Sequence, residues 1–401
     1  MQSTQPPDGA RHPGAAGGHP DRPEPNAAAG AAGSGPTADE IAAAIVDAPG
    51  AEPRLGTVVP RPRTPGTTLV AVVAAPLNPL DLAIASGTFH SVRHEGPYVP
   101  GSECVGVVIE SDRHPAGSWV YGECDAAPDN PGSFADRTLL PDENLLPLPE
   151  GIDPVAAAAV GNAGVAAYLP LLEQGRLGAG ETVLVLGATG AVGQLAVQVA
   201  RLHGAGRVVG VARDGAALTR LAGLGADAVV ELRAEEGVDD LAARILAAAG
   251  PVDVVLDGVY GAPLEAALRV CAPRARVVNI GNPAGATAQV PAGLLRGKQL
   301  TLSGFAGLHT SMRDKRVALS WLWSALARGE LRTTIRTVDL AELPAAWRAQ
   351  AASPHHKWVV LPQGEHRLPH GRPQSASSAL DARRPLSGTA ADDARTGEAR
   401  A

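Results

Sequence analysis

Thr182-Val183-Leu184-Val185-Leu186-Gly187-Ala188-Thr189-Gly190-Ala191-Val192-Gly193 is the stretch that decides the fold. Five residues of strand character run directly into three glycines spaced G-x-x-G-x-x-G, and a helical pattern follows to Leu202. Strand, glycine-rich turn and helix in that order form the context a dinucleotide-binding loop requires. Gly187 permits the turn, Gly190 lets the backbone approach a pyrophosphate, and Gly193 lets the helix pack close to the strand. The helix N-terminus then turns free N–H groups and positive dipole toward the phosphates, with Ala188, Thr189, Ala191 and Val192 completing the loop. The bland alternative is a tight strand-to-helix turn, and the surrounding elements argue against it.

Downstream, a second strand, Val208 to Val211, ends at Ala212-Arg213-Asp214. A ribose 2′-hydroxyl calls for a carboxylate there and a 2′-phosphate for a guanidinium. Arg213 favours NADPH, with Arg220 placed to assist, while Asp214 keeps NAD open. Ala216 to Leu224 reads as a helix and Val252 to Leu256 as another buried strand. Strands alternating with helices predict βαβ units and a doubly wound parallel sheet. Tyr260 and Asn279-Ile280-Gly281 follow strands at the carboxyl edge, where ligands bind in such sheets. Upstream, to about residue 150, short apolar runs (Thr68 to Ala75, Val105 to Ile109, Ser118 to Tyr121) are separated by Pro and Gly, the texture of a smaller β-rich domain.

Composition limits what the chain can be. It has 401 residues, enough for two domains, and a net charge of −7 that gives no global attraction for nucleic acid or an anionic membrane. Pro154 to Leu172 and Thr182 to Ala200 have the length of a membrane span, but Gly, Pro, Asn, Gln and Ala interrupt them, so no span is expected. Three scattered cysteines form neither a disulfide framework nor a Cys-x-x-Cys metal loop and fit a reducing cytoplasm. No apolar signal core opens the chain. Residues 1–37 contain not one Ile, Leu, Val or aromatic residue, and residues 363–401 only Leu368, Leu380 and Leu386 as large apolar groups; both are expected to be disordered.

The body between resembles the medium-chain dehydrogenase/reductase superfamily, and within it the zinc-independent quinone oxidoreductase group. The resemblance rests on Val72-Val73-Ala74-Ala75-Pro76-Leu77-Asn78-Pro79-Leu80-Asp81, Pro100-Gly101-Ser102-Glu103-Cys104-Val105-Gly106, Gly132-Ser133-Phe134-Ala135, Gly164-Val165-Ala166-Ala167-Tyr168, the glycine loop, Gly225-Ala226-Asp227, Val252-Asp253-Val254-Val255-Leu256-Asp257 and Val277-Val278-Asn279-Ile280-Gly281, in that order. It implies a GroES-like β-rich catalytic domain from residues 38–155 and 300–362, and a Rossmann domain from 156–299 between them, with the active cleft at their junction. Members with catalytic zinc carry Cys near Asn78 and His where this chain has Ser102. No bound metal is expected; a replacement set would have to come from Glu103, Cys104, His90 and His94, which lack ligand spacing on one element.

Without a Lewis acid the favoured acceptors are quinones and α,β-unsaturated carbonyls, which delocalise an incoming hydride themselves. Asn78 and Asp81 match the family's Asn-x-x-Asp signature, with loop bracing as the alternative task. Where relatives often have Tyr this chain has Gly87-Thr88-Phe89, which leaves His90 or Tyr98 to supply a proton. Phe89 and Phe305 are expected to form apolar walls of the substrate site, with core packing the equal alternative for Phe305. A short-chain dehydrogenase is excluded, because no tyrosine has Lys four residues later. The expected activity is NADPH-dependent quinone reduction. The alternatives are enoyl or alkenal reduction and a non-catalytic NADPH-binding sensor. Gln299 to Phe305 reads as an unprotected edge strand, which predicts a homodimer by sheet extension.

Overall fold

The computed structural model describes residues 40–364 apart from 90, 91, 93 and 128. Both tail expectations fall largely, and His90 wholly, outside the described residues.

The β-rich lobe begins with a hairpin, β1 (Ile41–Ile45) and β2 (Arg54–Val58). Then come β3 (Thr67–Pro76), α1 (Pro79–Ala85), β4 (Glu103–Glu110), β5 (Trp119–Glu123), β6 (Arg137–Pro141) and β7 (Leu145–Pro147). In β3, alternate residues Val70, Val72 and Ala74 are buried, the period-2 pattern of a strand with one face on a core. β3 is the centre of the lobe, pairing antiparallel with β4, with β6 and with the last strand among the described residues.

A helix, α2 (Pro154–Leu169), then carries the chain to the second lobe. Asp153 caps it, accepting from the Val155 and Ala156 amides at 2.8 and 2.9 Å, and Pro154 supplies a first-turn residue that needs no donor. Its Ala, Gly and Val residues leave room for close neighbours, and it packs on β3 and β4 of one lobe and on helices of the other. One apolar cluster therefore runs from Ala74, Val105 and Tyr121 through α2 into the second lobe. The continuous helical stretch Pro154–Gln174 is long and apolar enough to cross a membrane, but 72% of its most apolar window is buried inside the fold.

The second lobe is β8 (Thr182–Leu186), α3 (Ala191–Leu202), β9 (Arg207–Ala212), α4 (Gly215–Thr219), β10 (Ala228–Glu231), α5 (Val238–Ala249), β11 (Val252–Asp257), α6 (Gly261–Val270), β12 (Cys271–Asn279), α7 (Ala292–Lys298) and β13 (Thr301–Gly304). Its six strands are parallel in the order β10-β9-β8-β11-β12-β13. The chain starts in the middle, winds outward one way and returns to wind the other. Its switch point therefore lies between β8 and β11, at the carboxyl edge of the sheet, the place where such folds bind dinucleotides.

β13 belongs to this parallel sheet, so the expected domain boundary at residue 300 is corrected. After α8 (Met312–Ala327), which packs on α2, the chain rejoins the first lobe's sheet only at β14 (Ile335–Asp339). α9 (Leu343–Ala351) and β15 (Lys357–Leu361) complete that lobe, β15 lying between β14 and β3. The residues expected to form one helix from Ala216 to Leu224 instead form α4 and a 3-10 turn, Arg220–Leu224, closed by Gly225 at φ 104°.

Candidate active site

Four backbone segments meet at the carboxyl edge of the parallel sheet. Gly187 has φ +83°, and its amide and that of Ala188 donate to the Val211 carbonyl at 2.8 and 3.1 Å, tying the loop to β9. A Cβ on Gly193 would stand 2.3 Å from the Gly187 oxygen, so the close strand–helix approach requires glycine there. Gly190 differs: its φ is −72°, and a Cβ would meet only the Gly187 oxygen, at 3.5 Å. The protein alone gives no steric reason for glycine at 190, which is what a backbone kept clear for a ligand looks like. No side chain caps α3, whose first-turn amides face that space. The loop and uncapped helix thus fit a dinucleotide pyrophosphate.

Beyond β9, Arg213 is exposed and makes no hydrogen bond or ion pair among the described residues. Asp214 is occupied: one oxygen caps α4 through the Ala217 amide at 2.8 Å, and the other meets His355 Nε2 at 2.9 Å. Its carboxyl is held below the usual range, chiefly by the Ala217 amide. Arg220 is also exposed.

At the ends of β11 and β12, Asp257 is fully buried and accepts from the Val259 and Tyr260 amides at 3.0 and 2.8 Å and from Asn279 Nδ2 at 2.8 Å. Burial pushes its carboxyl up despite these donors. Asn279 also donates to the Gly281 carbonyl at 2.7 Å, so its amide group braces the two loops. Tyr260 stands at φ 62°, ψ −161°, a region costly for a residue with a Cβ, and faces the same edge. Ile280 is half-buried against the apolar cluster that links the lobes.

The β-rich lobe contributes a buried polar network. Asn78 caps α1, and Asp81 returns to accept the Asn78 backbone N–H at 2.7 Å. The Asn78 side chain is clamped between opposites. Its oxygen accepts from Lys357 Nζ, and its nitrogen donates to Glu103 Oε1 at 2.8 Å. Lysine can only donate and carboxylate only accept, so the orientation of the amide is fixed. Glu103 takes two further donors on its other oxygen, the Tyr121 hydroxyl and the Asn162 amide, each at 2.7 Å. That amide is free because α2 kinks at Gly161, where φ is −45° and ψ is −107°; a Cβ on Gly161 would lie 2.2 Å from the Glu103 carboxylate.

Burial dominates the charges here. It pushes the Asp81 carboxyl up to about 6 and pulls the Lys357 ammonium down, while Glu103 and Asp81 pull the lysine back toward its charged form. Tyr121 is raised by burial and by its carboxylate neighbours.

Beside this network lies a cavity of about 400 Å³, lined among others by Leu80, Asp81, Ile84, Tyr98, Glu103 and Met312. Tyr98 is 5% exposed, and its hydroxyl has no hydrogen-bond partner among the described residues. Burial, reinforced by the Asp81 charge, raises its phenol well above the ordinary value. The His94 ring stacks on it at 3.8 Å and 16°.

Of the residues singled out from sequence, the structure brings Asp81 and Tyr98 to the cavity wall and sets Asn78 behind it. Phe89 and Phe305 do not line it. Phe89 is tied by its amide to Ala83 at the end of α1, and Phe305 by its amide to Asn279, with its ring against the core. Among the described residues no group of three or more His, Cys, Asp or Glu is placed to hold a metal ion. Sequence reasoning missed Lys357, Tyr121, Asn162 and the buried Lys315–Glu123 pair, in which the two carboxylate oxygens lie 2.7 and 2.6 Å from Lys315 Nζ. One signal was present: Lys315 falls on the apolar stripe of α8 with Ala318, Leu319 and Leu322.

The family described as alcohol dehydrogenase GroES-like domain matches residues 64–150, and that described as zinc-binding dehydrogenase matches residues 191–324. Quinone oxidoreductase of Rattus norvegicus is 32% identical over 229 residues, 56% of this chain and 67% of that protein. The 2-methylene-furan-3-one reductase of Solanum lycopersicum is 33% identical over 200 residues, 48% of this chain and 49% of that protein. A phenolphthiocerol/phthiocerol polyketide synthase of Mycobacterium tuberculosis is 32% identical over 212 residues, 53% of this chain, and the match spans only 9% of that much longer protein. A mycobacterial structure complexed with NADPH shares the fold, with a TM-score of 0.69 at 24% identity over 80% of this chain and all of that one. A GroES-like lobe, a parallel dinucleotide-binding sheet and these relatives lead to one assignment: the chain belongs to the medium-chain dehydrogenase/reductase superfamily of oxidoreductases, in its quinone oxidoreductase-like group.

Proposed function

We propose that the protein is an NADPH-dependent reductase that delivers hydride to a quinone-type acceptor without a metal ion. The observation that carries this reading is the Tyr98 hydroxyl, buried, unpartnered and held protonated at the wall of the cavity. A phenol in that state is a donor for the oxyanion that develops on a quinone or enone oxygen as hydride arrives. NADPH, when bound, supplies the hydride. Gly187 to Gly193 would hold its pyrophosphate, Arg213 its 2′-phosphate, and the loops of Tyr260 and Asn279 to Gly281 would border its nicotinamide half.

Metal independence is supported by the network itself. Ser102 and Asn78 stand where zinc-binding relatives place His and Cys, and the Lys357 ammonium already supplies a positive charge beside Glu103 and Asp81. Asn78 and Asp81 act as positioning residues: both spend their hydrogen bonds on the protein. His90, outside the described residues, is the other candidate proton donor.

NADPH oxidation measured against quinones, enones, alkenals and alcohols, with metal content determined on the same sample, tests the reading. Quinone reduction that survives chelation is expected. Turnover of alcohols alone, or activity lost to chelator and restored by zinc, overturns it. The name of the tomato relative favours enone reduction as the second reading. A non-catalytic NADPH-binding sensor would oxidise no NADPH with any acceptor.

The proposed homodimer rests on β13, which ends the parallel sheet with β12 as its neighbour, while α8 packs on α2 rather than over that edge. Sedimentation as a monomer at micromolar concentration would contradict it. Three free thiols, Cys104 and Cys124 among them although their side chains touch, support a cytoplasmic location.

A further inference from the structure

The cavity beside Tyr98 has a charge as well as a shape. Asp81, Glu103, Glu123, Asp125 and Glu143 all line it, and among the described residues no Lys or Arg does. The two lysines behind the wall are engaged, Lys315 with both oxygens of Glu123, and Lys357 with Asn78 in the field of Glu103 and Asp81. Asp125 and Glu143 are exposed and make no ion pair among the described residues. The Tyr98 hydroxyl, the one buried donor left over among the described residues of the wall, sits in this acidic surround.

We propose that the cavity selects an uncharged acceptor, a quinone or enone with no carboxylate, sulfonate or phosphate near its reacting carbonyl, and that Asp125 and Glu143 at the rim turn anionic acceptors away. The inference rests on the reductase reading above and narrows its substrate class. Like charges held a few ångströms apart in a partly dry cleft repel, whereas a neutral ring loses nothing by entering. The oxyanion forms only after entry and meets the Tyr98 donor.

Full-length protein with NADPH is assayed against 1,2-naphthoquinone, its 4-sulfonate, and the neutral 4-methoxy analogue as a control for size. The sulfonate is the stronger oxidant, so chemistry alone would favour it. At low ionic strength kcat/KM is expected to favour the neutral pair by about tenfold or more, since each carboxylate contributes up to roughly tenfold at such distances. The ratio should narrow in high salt, as exposed charges are screened. It should narrow again in Asp125→Asn and Glu143→Gln; reading the ratio cancels any general loss of activity. Equal use of all three acceptors, or a ratio that neither salt nor substitution moves, overturns the proposal. Quenching of tryptophan fluorescence by each quinone gives the same comparison for binding. If no acceptor is reduced the reductase reading fails, and the binding ratio still decides whether the cavity discriminates by charge.

Discussion

The two lobes share one apolar cluster but build their candidate sites differently. The parallel-sheet lobe prepares its site almost entirely with backbone: a loop at positive φ, an uncapped helix, strand ends with free edges. The β-rich lobe uses side chains drawn from distant places: Asn78 and Glu103 are 25 residues apart, Asn162 and Glu103 59, and Asn78 and Lys357 279. A backbone site is written in consecutive residues. A side-chain network exists only after the fold has formed.

That contrast can be broken most directly at Lys357. Lys357→Met keeps the length of the side chain but leaves Asn78 Oδ1 without its donor and Glu103 and Asp81 without the nearby cation, and should cost about 2 to 3 kcal/mol of stability. Chemical denaturation measures it, and a loss below about 1 kcal/mol would mean that the network does not hold the lobe together.

Asp81 offers a pH test. Its folded pKa of about 6 lies above its unfolded value, so the stability associated with its protonated form is present at low pH and lost as pH rises through 6. Relative to Asp81→Asn, the parent should lose about 2 kcal/mol between pH 4 and 7, read from paired melting curves. A pH-independent difference would show that Asp81 ionises freely.

Arg213→Ala touches only the backbone-built site. It should weaken NADPH about ten- to hundredfold and leave NADH nearly unchanged, by direct titration of each cofactor. Equal affinity of the parent for both cofactors would remove Arg213 from the site.

The smallest effects separate two glycines of one loop. Gly193→Ala should destabilise the fold by about 1 to 3 kcal/mol, because its methyl has no room. Gly190→Ala should leave the melting temperature nearly unaltered and still weaken cofactor binding. If both variants unfold alike, Gly190 serves packing after all.

The same contrast explains what could be read in advance. Thr182–Leu186 and Ala191–Leu202 have the bounds their residues predict, because a buried strand, a turn at φ +83° and a helix are local events. Asn78 and Asp81 can be picked out by resemblance and Tyr98 as a substitute proton donor, but their tasks cannot. Asn78 turns out to be held between a lysine and a glutamate, whereas Tyr98 is left free. The Asn162 contribution is a main-chain amide released by a kink at Gly161, and no residue type announces it. Phe305, expected as the last residue of the edge strand, comes just after β13, and its ring packs against the core, the alternative its sequence also allows.

Lys357 opens β15, the last strand described, and it closes a cluster that begins at Asn78. During synthesis the carboxylates of Asp81 and Glu103 emerge long before the ammonium that balances them, so the lobe cannot reach its final electrostatic balance until nearly the whole body has been made. A nascent chain halted before Lys357 holds the complete glycine loop and an unfinished polar network. Completion of the network is thereby tied to the arrival of this strand, with the glycine loop waiting on a lysine made more than a hundred residues after it.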